Sequence, residues 1–354
     1  MKIIKIEYWV EKFELKEPYT IAYNTYTEAE NVFLRVVTDK GIIGYGCAGP
    51  DYDVTRENTD TLLLACKDII EPGIVGMDPI RISFILHKLE KALVVHPSAK
   101  AMLDMALYDI LGKYSNLPVY RLLGGYRKSI KTSITIGILP LTETIKKALS
   151  YINDGFHILK LKGGIDVDED IEKVIRLRET VGDKITIRFD ANQGYTLEDT
   201  VKFIKSTKKA ALQLLEQPIP RGFPAVLGKI TDESIIPIMA DESLLNIRDI
   251  FRLTRKGLVD MVNVKLMKVG GINEALQISA VARAGNLDIM VGCMDESALS
   301  IAAGLHYSLS QPNVQYADLD GHLDLIGDPT AGAVILKNGT LYPNNKPGLG
   351  ISLR

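Results

Sequence analysis

From residue 130 onward, short apolar runs recur at a nearly constant interval: TSITI, HILKLK, ITIRFD, ALQLLE, PIMAD, MVNVKL, DIMVGC and VQYADLD. Lys162, Asp190, Glu216, Asp241 and Lys265 close five successive runs, 24 to 28 residues apart. That interval holds one strand, one amphipathic helix and two short loops, which commits this part of the chain to a β/α repeat. The gaps carry helix signals. Thr196 and Asp199 form a capping pair ahead of VKFI, and Asn273 precedes EALQISAVARAG, which stops at Gly285. Eight strands alternating with helices predict a closed parallel barrel. A doubly wound sheet shares the alternation, but here no glycine-rich phosphate loop follows the first run and polar residues recur at the strand ends.

The first third reads differently. IIKIEYWV, NVFLRVV and IIGYG alternate like strands, the last two flanking a turn at Asp39, Lys40 and Gly41. Glu57 to Gly112 then take helical spacing, including AKAMLDMALYDILGKY. At the far end, AVILKNGTLY predicts a hairpin and PGLGISLR a final strand, a tail expected to return to the first domain. The expected division is an α+β domain over 1–125, a barrel over 126–325 and a returning segment over 326–354.

Charge and motif content narrow the function classes. Lys and Arg number 42 against 44 Asp and Glu, without a basic block, so nothing favours nucleic acid or an anionic membrane as partner. Cys47, Cys66 and Cys293 are odd in number and far apart, which suits reduced thiols and a cytoplasmic location. The opening MKIIKIEYWVEKFELKEPY never builds the apolar core of a signal peptide. Gly44, Gly46 and Gly49 match G-x-G-x-x-G, but the match runs from a hairpin into Pro50 with no helix behind it, so no nucleotide site is expected. The five histidines lack ligand spacing, and Ser297 and Ser300 lack G-x-S-x-G, which leaves zinc and acyl-enzyme chemistry unsupported.

The polar residues inside the strands carry the chemistry. Lys160 and Lys162 share one face, because strand side chains alternate with period two. Facing inward, they would depress each other's pKa toward that of a usable base; facing outward, they are strand-end lysines reaching for water. Asp190, Glu216 and Asp241 end three consecutive strands, where a barrel gathers side chains at one face. Convergent buried carboxylates call for a hard divalent cation, Mg²⁺ above all, and the bland alternative is three solvated acids. Lys265 lies four strands from Lys162, on the other side of those acids, so the two lysines suit removal and return of a proton on opposite faces of one carbon. Lys268 reads as a loop lysine. Asp318 and Asp320 again share one face; they either hold an ammonium group or cap the next helix.

Taken together, KLK at 160–162, RFDANQGY at 188–195, LLEQP at 214–218, ADES at 240–243, NVKLMKVGGI at 263–272, GCMDES at 292–297 and DLDG at 318–321 give the chain a family likeness. It resembles the enolase superfamily, in the muconate lactonizing enzyme subgroup, and within it the dipeptide epimerases. The resemblance implies an α/β fold: a (β/α)₇β TIM-like barrel under an α+β capping domain formed by the N-terminal third and the C-terminal tail. It implies Mg²⁺ on Asp190, Glu216 and Asp241, acid/base catalysis by Lys162 and Lys265, and Lys160 supporting Lys162 and the substrate carboxylate. It also implies Asp318 and Asp320 on the α-ammonium of a dipeptide, with Thr135 and Asn192 contacting substrate. The implied reaction inverts the α-carbon of the second residue.

Where relatives specific for L-Ala-D/L-Glu carry an arginine for the glutamate side chain, this chain aligns Asn24. Asp295 stands where an apolar residue is common, and the cap adds Asp51 and Asp53. A hydrophobic or cationic second residue is therefore expected, with the acids favouring Lys or Arg. The alternatives within the subgroup are an N-acylamino acid racemase, an o-succinylbenzoate synthase and a cycloisomerase. Glu242 is open between orienting a lysine and packing beside Asp241, and the sequence leaves homo-oligomerisation open.

Overall fold

The structure, a computed structural model, describes residues 1–22, 24–351 and 353. The N-terminal alternation runs farther than its apolar residues suggest. Strands β1 (Ile3–Thr20) and β2 (Thr25–Thr38) form one long antiparallel ribbon, and β3 (Ile43–Ala48) pairs with the other edge of β2. The predicted turn at Asp39 to Gly41 joins β2 to β3. Past a register shift after Glu14, the pairs Tyr19 with Tyr26 and Thr20 with Thr25 hold the ribbon together, and the Ile21 N–H donates to the Asn24 carbonyl at 2.9 Å. This end reaches over the barrel, where Tyr19, Ile21 and Tyr26 line a cavity.

The helix Pro97–Tyr114 is the centre of the cap, buried along nearly its whole length. Strand β3 lies directly on it. A side-chain carbon at Gly44 or Gly46 would collide with the carbonyl of Ala106 or Met102. Gly44 and Gly46 thus serve close strand-on-helix packing, and the expectation of no helix behind Pro50 is corrected: a single turn, Tyr52–Thr55, follows, capped by Asp51.

Short strand β4 (Ile130–Lys131) leads into the barrel: β5 (Ile134–Ile136), β6 (Ile158–Lys162), β7 (Thr186–Asp190), β8 (Leu215–Glu216), β9 (Ile238–Ala240), β10 (Met261–Lys265), β11 (Asp288–Gly292) and β12 (Val314–Asp318). All eight apolar runs are strands, parallel and in chain order, and a parallel bridge from Thr132 to Ala317 brings the first edge to the last. Leu214, Met239, Met261 and Met290 fill one layer of the interior.

Two helix starts show how local and tertiary capping differ. Thr196 and Asp199 make the predicted reciprocal capping box ahead of Leu197–Ser206. The next expectation is corrected: the helix Ile272–Ala284 begins before Asn273 and is capped from another domain. Asp104, on the central helix of the cap, accepts from the backbone N–H of Ile272 at 2.6 Å and of Asn273 at 3.2 Å.

The tail also departs from expectation in part. The Ile326 N–H donates to the Glu14 carbonyl at 3.0 Å and the Lys16 N–H to that of Asp324 at 2.9 Å, so the chain does return to β1. The hairpin of β13 (Val334–Lys337) and β14 (Thr340–Pro343) pairs instead with β4. PGLGISLR forms no strand among its described residues, because Gly348 and Gly350 take positive φ and break the extended run. Gly348 makes a single bridge to Pro118, and the Leu349 N–H caps onto Asp109 at 2.8 Å. The three cysteines are free, and among the described residues no helix is long and apolar enough to cross a membrane.

Candidate active site

Barrel register sets the site. Lys162 pairs with Asp190 and Asp190 with Glu216 across β6, β7 and β8. Lys265, Gly292 and Asp318 form the matching row across β10, β11 and β12. One layer below, Thr135, Lys160 and Arg188 align. Lys160 and Lys162 both reach inward to carboxylates, as period two requires of residues on one face.

Lys160 Nζ lies 2.8 Å from Glu216 Oε2, 2.8 Å from Asp318 Oδ2 and 3.0 Å from Asp190 Oδ2. Lys162 Nζ lies 2.7 Å from Asp190 Oδ2, and Lys265 Nζ lies 3.0 Å from Asp241 Oδ2. Lys268 is not the loop lysine that sequence suggested. It sits in the short helix Leu266–Val269 right after β10, is fully buried, and donates to Asp241 Oδ1 and to the Asn263 carbonyl at 3.2 Å.

The expected depression of lysine pKa is also reversed for Lys160. Burial pushes its ammonium down, but Asp318, Glu216 and Asp190 together raise it well above the ordinary lysine value. Lys265 follows suit, with burial outweighed by Asp241. The carboxylates separate: burial opposes ionisation of Asp241, but Lys265 and Lys268 hold it well below the usual range. Glu216 is raised to about 7 by burial and then by Asp190. Glu242, buried and lining the cavity, is raised to about 8 by burial and then by Asp241.

Asp190, Glu216 and Asp241 reach consecutive strand ends, yet their ammonium partners stand between them. Among the described residues no three acidic, His or Cys side chains close on one point as a metal cage. The donor set nevertheless fits a hard divalent cation. All three groups are fully buried carboxylates, and Glu216 Oε2, Glu242 Oε2 and Asn192 Oδ1 are buried without a hydrogen-bond partner. Glu216 Oε2 touches Lys160 as an ion pair, without hydrogen-bond alignment.

The remaining predicted residues divide. Asp318 Oδ1 accepts from Ser133 Oγ at 2.6 Å, and Asp320 Oδ2 accepts from the Thr135 N–H at 2.7 Å. Burial and the Asp318 charge raise Asp320 to about 7. Asn192 takes φ 43° and donates its N–H to Asp190 Oδ1 at 2.9 Å. Asp295 and Asp51 line the same cavity, and Asp295 is raised to about 6 by burial and by Asp324 and Asp51. Asn24 does not join them: it is exposed at the ribbon's tip, its Oδ1 accepting from the Thr25 N–H at 2.8 Å. Asp53 is exposed as well.

Some residues at the site escaped the sequence reading. Tyr19 and Tyr26 enter from the ribbon, and Asp324 follows β12; nothing in their local pattern marks them. Gln217, quoted only as part of LLEQP, accepts from the N–H groups of Asp241 at 3.0 Å and Ser243 at 3.1 Å and so braces the ends of β8 and β9.

A parallel barrel with lysines and carboxylates ranked along one rim, roofed by an α+β cap, defines an enolase-type barrel enzyme. Residues 3–124 match the mandelate racemase / muconate lactonizing enzyme N-terminal domain, and residues 143–354 the enolase C-terminal domain-like family. The chain belongs to this mandelate racemase / muconate lactonizing enzyme family. It is 42% identical to an L-Lys-D/L-Arg epimerase of Desulforapulum autotrophicum over 99% of both chains. A dipeptide epimerase of Enterococcus faecalis, solved with Mg and L-Leu-L-Tyr, superposes with a TM-score of 0.97 at 37% identity, covering 99% of this chain and 100% of that one. The dipeptide epimerase of Methylococcus capsulatus, solved with Mg and L-Arg-D-Lys, gives 0.92 at 36% identity over 99% of both chains. The protein is an enzyme of the isomerase class that these names share.

Proposed function

We propose that the protein is a Mg²⁺-dependent dipeptide epimerase that inverts the α-carbon of the second residue and prefers a cationic side chain there. One observation carries the reading: Lys162 and Lys265 project from β6 and β10, four strands apart, with the three strand-end carboxylates on the strands between them or next to them. A substrate α-carbon between the two amines has one base on each face. One amine takes the proton, the other returns a proton to the opposite face, and the stereocentre inverts.

Asp190, Glu216 and Asp241 would hold the Mg²⁺, which when bound supplies positive charge against the negative charge developing on the substrate carboxylate. Lys160, already bridging Glu216, Asp190 and Asp318, adds a fixed ammonium beneath that carboxylate. Asp318 and Asp320 take the α-ammonium of the first residue. An N-acylated substrate has no such cation, so this pair favours a free dipeptide over the N-acylamino acid reading. The second side chain faces Asp51 and Asp295, both on the cavity wall, which favours Lys or Arg and disfavours Glu.

The test is a matched panel of L-Ala-L-Xaa dipeptides, with Xaa as Arg, Lys, Leu or Glu, assayed for the D-epimer by chiral chromatography after hydrolysis. The expected order is Arg and Lys above Leu, with Glu lowest. Preferred turnover of Glu, or turnover of N-succinyl amino acids alone, overturns it.

A further inference from the structure

Beneath the site the barrel holds a cation that the proposed chemistry does not use. Arg188, two residues before Asp190 on β7, is 1% exposed, and its hydrogen-bond partners are all neutral. Nε donates to Gln213 Oε1 at 2.7 Å, while Nη1 donates to the Ala317 carbonyl at 2.9 Å and to Ser133 Oγ at 3.1 Å, and lies 3.5 Å from Met290 Sδ. The guanidinium also lies 5.3 Å from the centroid of the Tyr316 ring. Burying a cation without an anion in contact is costly. Met290, which it touches, belongs to an apolar layer with Leu214, Met239 and Met261, a setting that would accept an uncharged side chain.

The hydrogen-bond directions show where the charge is directed. A guanidinium only donates, so Ser133 Oγ accepts from Arg188 and its own proton is free for another partner. The short contact is Asp318 Oδ1 at 2.6 Å; the Ala317 carbonyl, at 3.3 Å from Ser133 Oγ, already receives Arg188. Asp318 Oδ2 is held by Lys160 at 2.8 Å. Both carboxylate oxygens are therefore fixed from below and from the side. Burial works against the Asp318 charge, but Lys160, Ser133 and Arg188 hold the carboxyl down at about 2. Asp320, two residues on, accepts from the Thr135 N–H instead, and there burial and the Asp318 charge outweigh the support.

We infer that Arg188, acting through Ser133, is a positioning residue for ammonium recognition: it keeps Asp318 as an oriented anion that receives the α-ammonium of the substrate's first residue. The inference rests on the dipeptide reading above. It assigns a strand-interior arginine, remote from the reacting carbon, to substrate binding rather than to proton transfer.

The test compares two ligands in wild type, Ser133→Ala, Arg188→Met and Arg188→Lys. One is the preferred dipeptide, followed by α-proton exchange. The other is its des-amino analogue, in which hydrogen replaces the α-amino group, measured as a competitive inhibitor of that exchange. Ser133→Ala and Arg188→Met are expected to raise KM for the dipeptide about tenfold while kcat falls less than about threefold. The inhibition constant of the analogue stays within about twofold, and Arg188→Lys recovers part of the loss. Should Arg188→Met fail to fold, Ser133→Ala alone carries the comparison. Equal losses for dipeptide and analogue, or no change in either, overturn the inference. A wild-type enzyme that exchanges no dipeptide overturns the dipeptide reading itself and the inference with it, a result recognisable before any variant is made.

Discussion

Lys162 and Lys265 are each tied to a different carboxylate: Lys162 Nζ lies 2.7 Å from Asp190 Oδ2, and Lys265 Nζ lies 3.0 Å from Asp241 Oδ2. Separate anchors on β7 and after β9 hold the two amines apart on the barrel rim, so neither can substitute for the other. If each serves one face of the α-carbon, Lys162→Ala and Lys265→Ala should fail differently. Each variant should keep deuterium exchange on one epimer and lose it on the other, with net epimerisation down at least about a hundredfold. Exchange measured separately on the L,L and L,D substrates checks this, and identical losses on both epimers in both variants contradict it.

Asp295 offers a pH-dependent check on specificity. Its carboxyl is raised to about 6, so the anion that in the proposed reading attracts a cationic side chain is present above that pH and lost below it. The ratio of kcat/KM for an Arg over a Leu second residue should climb as pH rises from 5 to 7. Taking a ratio cancels ionisations that affect both substrates equally. In Asp295→Asn the ratio should be low and flat; an unchanged pH dependence in that variant removes Asp295 from recognition.

How much of this was legible in the sequence depends on whether a residue's role is local. The barrel strands were legible because each apolar run is bounded by polar or turn residues, and Asp190, Glu216 and Asp241 because strand ends in a barrel share one rim. Lys268 was not, since only the fold brings its amine to Asp241. Asp104 was equally hidden: it caps a helix 168 residues away. Arg188 stood in plain view in ITIRFD, but a charge inside a strand says nothing of Ser133 or Asp318 until the barrel closes. The ribbon's outer half was masked by its charges, and PGLGISLR looked like a strand until its glycines took positive φ.

The cross-domain cap predicts coupled stability. Asp104 is fully buried, and its carboxylate accepts two N–H groups at the start of Ile272–Ala284. Asp104→Ala leaves both donors buried without a partner and should cost about 1–3 kcal/mol. Urea denaturation followed by far-UV circular dichroism reads this directly. A change below about 0.5 kcal/mol would mean that the cap is replaced by water or backbone.

His306 predicts the acid limb of stability. It is fully buried, its Nδ1 accepts from the Tyr120 N–H at 2.9 Å, and burial pushes its pKa down to about 3. The unfolded chain takes up this proton near pH 6.5, whereas the folded protein resists it. The contribution is therefore complete above pH 6.5 and is lost as pH falls toward 3, at about 1.4 kcal/mol per pH unit. His306→Asn keeps an acceptor and removes the proton site, so its stability should fall less steeply between pH 6.5 and 5. Parallel slopes for the variant and the wild type in chemical denaturation would contradict this assignment.

The most direct test of the central claim is ¹H NMR of L-Ala-L-Arg incubated with the enzyme in D₂O, with Mg²⁺ or with excess chelator. The account predicts that the arginine α-proton signal disappears while the alanine α-proton remains, that L-Ala-D-Arg accumulates, and that chelator stops both changes until Mg²⁺ is restored. Exchange at the alanine α-carbon, exchange that persists in chelator, or no exchange at either carbon across the cationic and hydrophobic dipeptides would contradict it.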